Sequence, residues 1–261
     1  MTFTEATHRE LTRQSGDRNV SGQSRPRLLE LTAARLRVWL VMIGAALLGM
    51  HGLAMFVAHG LGYDVAMGFV PTFHFDWEGN VPTFASTLLL LFCGILASLT
   101  PSLSRADKPQ TLAWRGIGAI FVLLAADEAF QIHEPLGAAV KSAMQADWMP
   151  YFAWVVPYGA VLVLLAVIYL PWFLRLGLDT QIRVSLAAIL FIGGALGMEI
   201  LSSGYFENLD PDREKFRTLT GDLLATVEES MELLGAGLFL HTLLRRIGGI
   251  RMNAGAIEAN F

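Results

Sequence analysis

The chain has 261 residues, of which 54% are hydrophobic and only 16% are charged, and its formal net charge is −4. This apolar, weakly charged composition argues against a soluble domain and indicates a polytopic membrane protein. The slightly acidic balance gives no reason to expect a nucleic-acid partner. A single cysteine, Cys93, excludes a disulfide framework or a cysteine-based metal site within one chain. We therefore expect the lipid bilayer to be the main partner.

A polar segment rich in arginine occupies residues 1–34. It is too long for an ordinary signal peptide, and no small-residue cleavage site follows at the usual distance. We predict that it is a disordered, basic cytoplasmic tail. A transmembrane helical domain is predicted over residues 35–248, and a short cytoplasmic tail over residues 249–261.

Six apolar segments follow, and a membrane-spanning helix needs about 20 such residues. They predict an all-α membrane protein, a bundle of six transmembrane helices. A five-span arrangement with one re-entrant segment is the alternative. Loops rich in lysine and arginine alternate with loops that have few, as the positive-inside rule requires. This pattern predicts that both termini are cytoplasmic, in a bacterial inner membrane. The basic loop 204–219 departs from the rule. The segments are 38–60, 84–100, 113–133, 151–174, 182–203 and 220–244.

Three of these segments, the third, fifth and sixth, carry acidic residues inside their apolar stretches. In the six-span arrangement all of these acids fall in the periplasmic half of the membrane. At about 100° per residue, the acids of the third and of the sixth helix each form one stripe, which should face the bundle interior. The predicted site comprises Asp127, Glu128, His133, Glu134, Glu199, Glu228, Glu229 and Glu232.

His133 is the one imidazole in this set. In an ideal helix it points away from the acidic stripe of the third segment. It joins the stripe if the helix loosens before Pro135, because proline disfavours helical geometry at the preceding residue, Glu134. The position of His133 therefore depends on a local break in the helix.

The energy of burying these acids argues for a function. A central acid costs about 2.5–3.5 kcal/mol in a membrane helix, so five together cost on the order of 12 kcal/mol, comparable with the stability of a domain. Protonation of some acids, or a bound cation, would relieve this cost. Carboxylate and imidazole ligands suit iron, zinc or manganese. We therefore expect a divalent metal ion held by the eight residues, with Glu128 and Glu229 as catalytic acid or base.

Other polar residues have simpler interpretations. His51 and His59 on the first segment and His241 on the sixth could pair as axial haem ligands, but packing between helices is the preferred interpretation and haem is not expected. A polar outer loop precedes the second segment and could cover the acidic site, although a solvated turn is the preferred interpretation. Its residues are His74, Asp76 and Glu78.

The leading hypothesis is a metal-dependent integral membrane enzyme that acts on a lipid or another apolar small molecule. A proton- or cation-coupled transporter or channel is the first alternative. It needs polar residues that continue to the cytoplasmic side, where the spans are largely apolar. A non-catalytic subunit of a membrane complex is the second alternative. The sequence does not define the oligomeric state.

Three motifs resemble those of a bacterial family of uncharacterised polytopic membrane proteins. They are Glu78-Gly-Asn-Val-Pro-Thr, Asp127-Glu-Ala-Phe-Gln-Ile-His-Glu134 and Glu228-Glu-Ser-Met-Glu-Leu-Leu-Gly235. The second and third follow the patterns Asp-Glu-Ala-x-x-x-His-Glu and Glu-Glu-x-x-Glu-x-x-Gly. The resemblance covers roughly residues 70–246. It implies a helical membrane protein and no particular activity.

Overall fold

The computed structural model describes residues 29–103, 108–144, 153–207, 218–248, 250–253 and 256–259. Of the predicted disordered tail 1–34, residues 1–28 lie outside the described residues, and residues 29–34 contain a short strand and the start of the first helix. The described chain is predominantly helical, as the apolar segments predict. Its helices are α1 Ala33–Met55, α2 Phe69–Phe73, α3 Val81–Leu103, α4 Lys108–Phe130, α5 His133–Met144, α6 Val155–Phe173, α7 Leu178–Ile192, α8 Glu199–Glu207 and α9 Leu219–Arg246.

Four helical stretches are long and apolar enough to cross a membrane, which makes this a multi-pass membrane protein by length and composition. A fifth is obtained if α4 and α5, which meet at a bend of 84°, count as one broken span. A helix lies on each of the six predicted segments, and six spans remain a prediction because the acid-rich α9 is not among these stretches. The four stretches are Ala33–Gly60, Val81–Leu103, Val155–Phe173 and Leu178–Glu207.

Three short strands occupy segments that the sequence assigns to the two tails. Strand β1, Leu29–Leu31, pairs antiparallel with β2, Ile250–Asn253, which pairs with β3, Ala256–Ala259. Because β1 precedes α1 and β2 follows α9, the start of α1 and the end of α9 lie at the same end of the bundle. We call this the sheet end, and the opposite end the acidic end.

Two helix boundaries differ from the predicted ones. Helix α3 is longer than the predicted 84–100, because the Asn80 side chain caps its start by accepting a hydrogen bond from the backbone N–H of Thr83 at 3.1 Å. Helix α4 ends at Phe130 and does not continue to residue 133, because Gln131 adopts a left-handed conformation with φ of 55°. The loop predicted after the third segment begins with helix α5.

A hydrophobic core fills the sheet end between α3, α4, α7 and α9. Trp114, Leu243 and Ile247 are fully buried within it. Nearer the acidic end, α7 and α9 approach closely at Gly235, where a Cβ atom would lie 2.5 Å from the backbone nitrogen of Phe191. This contact requires glycine and fixes the face of α9 that carries the acidic residues.

Candidate functional site

A cavity of about 940 Å³ lies inside the helical bundle, and all eight predicted site residues line it. The residues come from α4, α5, α8 and α9, so the fold brings together side chains that are far apart in the chain. We call the carboxyl groups at this site the carboxylate cluster. Its members are Asp76, Glu78, Asp127, Glu128, Glu134, Glu199, Glu228, Glu229 and Glu232.

The break between α4 and α5 brings His133 to the cavity. Gln131 has a positive φ, which is uncommon for residues other than glycine and marks local strain. After this turn, the backbone N–H of His133 donates to Oδ1 of Asp127 at 2.9 Å, so Asp127 caps the start of α5. The condition that the sequence set for His133, a loosened helix before Pro135, is therefore met.

The His133 ring lies between two carboxylates. Its Nδ1 is 3.4 Å from Oδ2 of Asp127, and its Nε2 is 3.8 Å from Oε1 of Glu78. The Trp154 ring packs beside it, with ring centroids 4.9 Å apart. The imidazole is therefore held in place on three sides while it still lines the cavity.

The acids of α9 face Glu128 across the cavity. The carboxyl groups of Glu229 and Glu232 lie close enough to Glu128 for their charges to interact. They keep part of their surface accessible because they face the cavity and not the tightly packed core. Gly235, one turn beyond Glu232, packs against α7 and holds this face of α9 in register.

A second irregular turn presents Glu199. Helix α7 passes into a π-helical turn, Gly193–Met198, immediately before Glu199 begins α8. Such turns are frequent at functional sites because they re-aim a side chain. Oε2 of Glu199 is buried and has no hydrogen-bond partner in the described part of the chain. An unpaired buried acceptor of this kind is costly unless a proton or a ligand reaches it.

The loop before α3 takes part in the site. Asp76 and Glu78 line the cavity, so this loop covers the carboxylate cluster instead of forming a purely solvated turn. Burial raises the pKa of Asp76 to about 7, and the neighbouring Asp222 carboxylate adds to the shift. Burial and the neighbouring Glu134 also raise the pKa of Glu78.

A separate group of polar residues, which we call the histidine cluster, lies beside the cavity at the start of α9. Oδ2 of Asp222 accepts from Nε2 of His59 at 2.5 Å and lies 3.1 Å from Nε2 of His74. The hydroxyl of Thr226 lies 2.8 Å from Nε2 of His51. Asp222, His51 and His74 are each no more than 3% exposed. This arrangement makes the two histidines of the first segment structural partners of α9.

The tautomers of two of these rings follow from backbone donors. The N–H of Phe75 donates to Nδ1 of His51 at 3.1 Å, and the N–H of Asp76 donates to Nδ1 of His74 at 3.3 Å. Each Nδ1 is therefore an acceptor, which leaves the proton of a neutral ring on Nε2. His74 then donates from Nε2 to Asp222.

The predicted metal-binding role is not visible in the arrangement of side chains. Among the residues that the structure describes, no group of three or more His, Cys, Asp or Glu side chains is placed to hold a metal ion. The carboxylate cluster lines one cavity, but its groups do not converge on one point. The assignment of the eight residues as ligands remains a prediction.

A comparison with known protein families identifies the relationship of this chain. Residues 38–247 match the family model described as Domain of unknown function (DUF8692). The chain belongs to this family. The match spans the helical bundle and the cavity, and it confirms the predicted kinship with an uncharacterised family, while a bacterial origin remains a prediction. No curated protein and no solved structure matches the chain.

Sequence reasoning missed Asp222, which organises the histidine cluster. One signal was present, because Asp222, Thr226 and Glu229 follow one another at intervals of a helical turn on the same face of α9. It also missed three side chains that contact the acids. Ser86 lies beside Glu128, Tyr158 beside Asp127 and Trp154 beside Glu199.

Proposed function

We propose that this member of the DUF8692 family is an integral membrane enzyme that binds an amphiphilic substrate in its cavity. The substrate's polar group lies among the carboxylates, where a divalent cation assists the reaction. One observation carries this proposal, the joining of a carboxylate-rich end and an apolar end in a single cavity between membrane helices. Such a cavity is complementary to a molecule with one polar and one apolar part.

The charge balance of the cavity supports a cation. Its described lining contains nine carboxyl groups, those of the carboxylate cluster, whereas Lys141 is its one lysine or arginine. Like charges in a medium of low dielectric constant repel strongly, and an uncompensated buried charge is costly. A divalent cation would offset this repulsion, and carboxylates with an imidazole are suitable ligands for iron, zinc or manganese.

Residue roles follow from position. Glu128, Glu229, Glu232 and His133 are our first choices for holding the cation. When bound, the cation would polarise the substrate's polar group or activate a water molecule. We assign Glu128 and Glu229, which face each other across the cavity, to proton transfer. His133 is oriented for this by Asp127.

The orientation in the membrane is part of the proposal. The basic residues of the chain favour a cytoplasmic sheet end, which puts both termini inside and the carboxylate cluster in the periplasmic half. In a bacterial inner membrane, the enzyme would then act on molecules of the outer leaflet. The irregular turns at Gln131 and at 193–198 support a functional role for this end of the bundle.

A transporter or channel is less well supported. Beyond the carboxylate cluster, the described lining of the cavity toward the sheet end is apolar, and the hydrophobic core closes it. A path for protons or cations needs polar groups or water across the whole membrane. The geometry favours a closed binding site over a continuous pathway.

The test is a titration of Mn²⁺ or Zn²⁺ into purified full-length protein in lipid nanodiscs, in which calorimetry measures the heat of binding. We expect binding to the wild type and affinity reduced by about tenfold or more in Glu229→Gln, which removes a ligand but preserves shape. Glu207→Gln is the matched control, because Glu207 is exposed and does not line the cavity. Absence of binding, or equal affinity in wild type and Glu229→Gln, would contradict the proposed cation site.

A further inference from the structure

The cavity continues from the carboxylate cluster into an apolar chamber. Its walls are aliphatic and aromatic side chains of α4, α6, α7 and α9. Five residues line the chamber and also belong to, or pack against, the core of the sheet end, so they close the chamber at its bottom. We call them the floor, and they are Ile117, Phe121, Val184, Ala187 and Phe239.

Two stacked aromatic rings form a closely packed part of the floor. Phe121 and Phe239 stack with ring centroids 4.6 Å apart and an interplanar angle of 6°. Phe239 is only 5% exposed. Beneath it, Leu240 and Leu243 are buried in the core, so the chamber does not extend further along α9.

The depth of the chamber can be read along a helix. Glu128 marks the carboxylate level on α4, and Ile117, the floor residue farthest from Glu128 on this helix, marks the bottom of the chamber. The helical rise separates these two levels by about 16 Å. An extended chain advances roughly 1.2 Å per bond, so the chamber accommodates about 13 bonds of an unbranched alkyl chain.

The volume of the cavity favours a substrate with one alkyl chain. The whole cavity, including the carboxylate end, has a volume of about 940 Å³. That value lies near the upper end of ordinary small-molecule cavities, which have about 300–1,000 Å³. After a polar group and a cation have occupied the carboxylate end, the remainder suits a single alkyl chain better than two.

Helix α6 offers a route from the bilayer. Tyr158 contacts Asp127 near its start, and Trp172 packs edge-on against Trp114 near its end, with ring centroids 4.9 Å apart. Between these attachments to α4, the middle of α6 lines the cavity opposite α7. Its other side carries exposed apolar residues such as Val167, which is 66% exposed. Helices α6 and α7 make few close backbone contacts with each other, so an alkyl chain can enter sideways between their middles.

We infer that the substrate is a single-chain amphiphile with an alkyl chain of about 12–14 carbons, and that the floor sets this length. The inference rests on the proposed function and names the substrate class of the same cavity. Phe121 is its main specificity-determining residue, because it forms part of the floor and is less deeply packed than Phe239.

The probe is a 1-O-alkylglycerol of about twelve carbons with a diazirine at the end of its chain, added to full-length protein in nanodiscs. Its uncharged head isolates the effect of chain length. Unlabelled 1-O-alkylglycerols of increasing length compete with it, and mass spectrometry locates the label. We expect the label at the floor. Competitors whose alkyl chains have up to about 13 bonds should compete similarly at equal mole fraction of lipid, because a bilayer is as apolar as the chamber. Competition should fall about tenfold by 18 carbons, because excess methylenes overfill a closed space.

Two variants move the floor in opposite directions. Phe121→Ala should restore competition by the 18-carbon compound, and Ala188→Phe, which fills the chamber wall, should abolish competition at 14 carbons but retain it at eight. Phe92→Ala and Ala119→Phe are matched controls on exposed surfaces and should leave the length profile unchanged. Phe121→Leu gives a smaller shift in the same direction and serves as the second variant if Phe121→Ala does not fold.

The outcomes separate the two proposals. Labelling at the floor with a length profile that neither Phe121→Ala nor Ala188→Phe changes would overturn the length inference and leave cavity binding intact. Labelling only at lipid-facing positions such as Phe92 would show annular binding and overturn both. Labelling at the floor with profiles that shift in opposite directions in the two variants supports both.

Discussion

Two polar clusters lie side by side on α9, and their charges are balanced in different ways. In the histidine cluster, one carboxylate, Asp222, contacts His59 and His74, and the second nitrogen of His74 also has a partner. In the carboxylate cluster, nine acids share a cavity whose described lining contains one lysine and one histidine, Lys141 and His133. The polar groups of the histidine cluster are hydrogen-bonded to one another, whereas the negative charges of the carboxylate cluster need protons or a bound cation to balance them.

This difference separates a structural role from a functional one. A buried polar network whose members all find partners fixes the packing of helices. A buried network of like charges, in which one Glu199 oxygen has no partner among the described residues, is stable only when protons or a cation join it. We therefore expect substitutions in the histidine cluster to affect stability, and substitutions in the carboxylate cluster to affect ligand binding.

The largest expected effect on stability belongs to Asp222→Asn. The substitution removes the negative charge from the one oxygen, Oδ2, that both His59 and His74 contact, so both charge-assisted hydrogen bonds are lost or weakened. Breaking this buried arrangement should lower the free energy of unfolding by about 3 kcal/mol. The thermal unfolding midpoint of the purified protein measures it.

Asp179→Asn is the control for this substitution. Asp179 is 63% exposed and pairs with Arg183 one helical turn away and with Arg245 at the end of α9. Loss of a surface pair of this kind changes stability by less than about 0.5 kcal/mol. Equal midpoints for the Asp222 and Asp179 variants would show that the histidine cluster does not hold α1 to α9.

A glycine pair on α9 gives the next largest effect. A Cβ atom at Gly235 would meet the Phe191 nitrogen at 2.5 Å, whereas at Gly237 the nearest atom, Leu40 Cδ1, would be 3.7 Å away. Gly235→Ala should therefore separate α7 from α9. We expect the free energy of unfolding to fall by about 2 kcal/mol and cation binding to weaken. Gly237→Ala should be nearly neutral. The prediction fails if the two alanine variants unfold at the same temperature.

The sequence predicts the helices better than it predicts the chemistry. Apolar segments of membrane length locate the helices well, because a lipid environment leaves few other backbone structures. The convergence of the acids on one cavity was also predicted, because charged groups in a span must face the interior. The left-handed turn at Gln131 and the partners of Asp222 were not, because both depend on contacts between distant segments.

Gln131→Gly tests the strained turn that brings His133 to the cavity. A left-handed residue other than glycine costs about 1–2 kcal/mol, part of which glycine loses again through its greater flexibility when unfolded. We expect the free energy of unfolding to rise by roughly 0.5 kcal/mol and cation binding to stay unchanged. Gln131→Val, which disfavours positive φ, should destabilise the protein. A destabilised glycine variant would mean that the Gln131 side chain itself is needed.

A pH dependence of stability arises from Asp76. Burial raises its pKa to about 7, with Asp222 and Glu78 adding to the shift and His74 opposing it. The folded state therefore holds this proton more tightly than the unfolded state, and stability falls as pH rises from the ordinary value of 3.8 to about 7. Between pH 5 and pH 8, the unfolding midpoint of the wild type should fall further than that of Asp76→Asn. Parallel pH profiles would contradict this.

The most direct test of the functional cluster is an experimental structure of the full-length protein in lipid, determined with Mn²⁺ and with anomalous scattering recorded for the metal. We expect one manganese peak in the cavity, with Glu128, Glu229 and Glu232 drawn toward it, and a much weaker peak in crystals of Glu229→Gln grown at the same Mn²⁺ concentration. A wild-type cavity without an anomalous peak, with its carboxyl groups hydrogen-bonded to one another, would contradict the account.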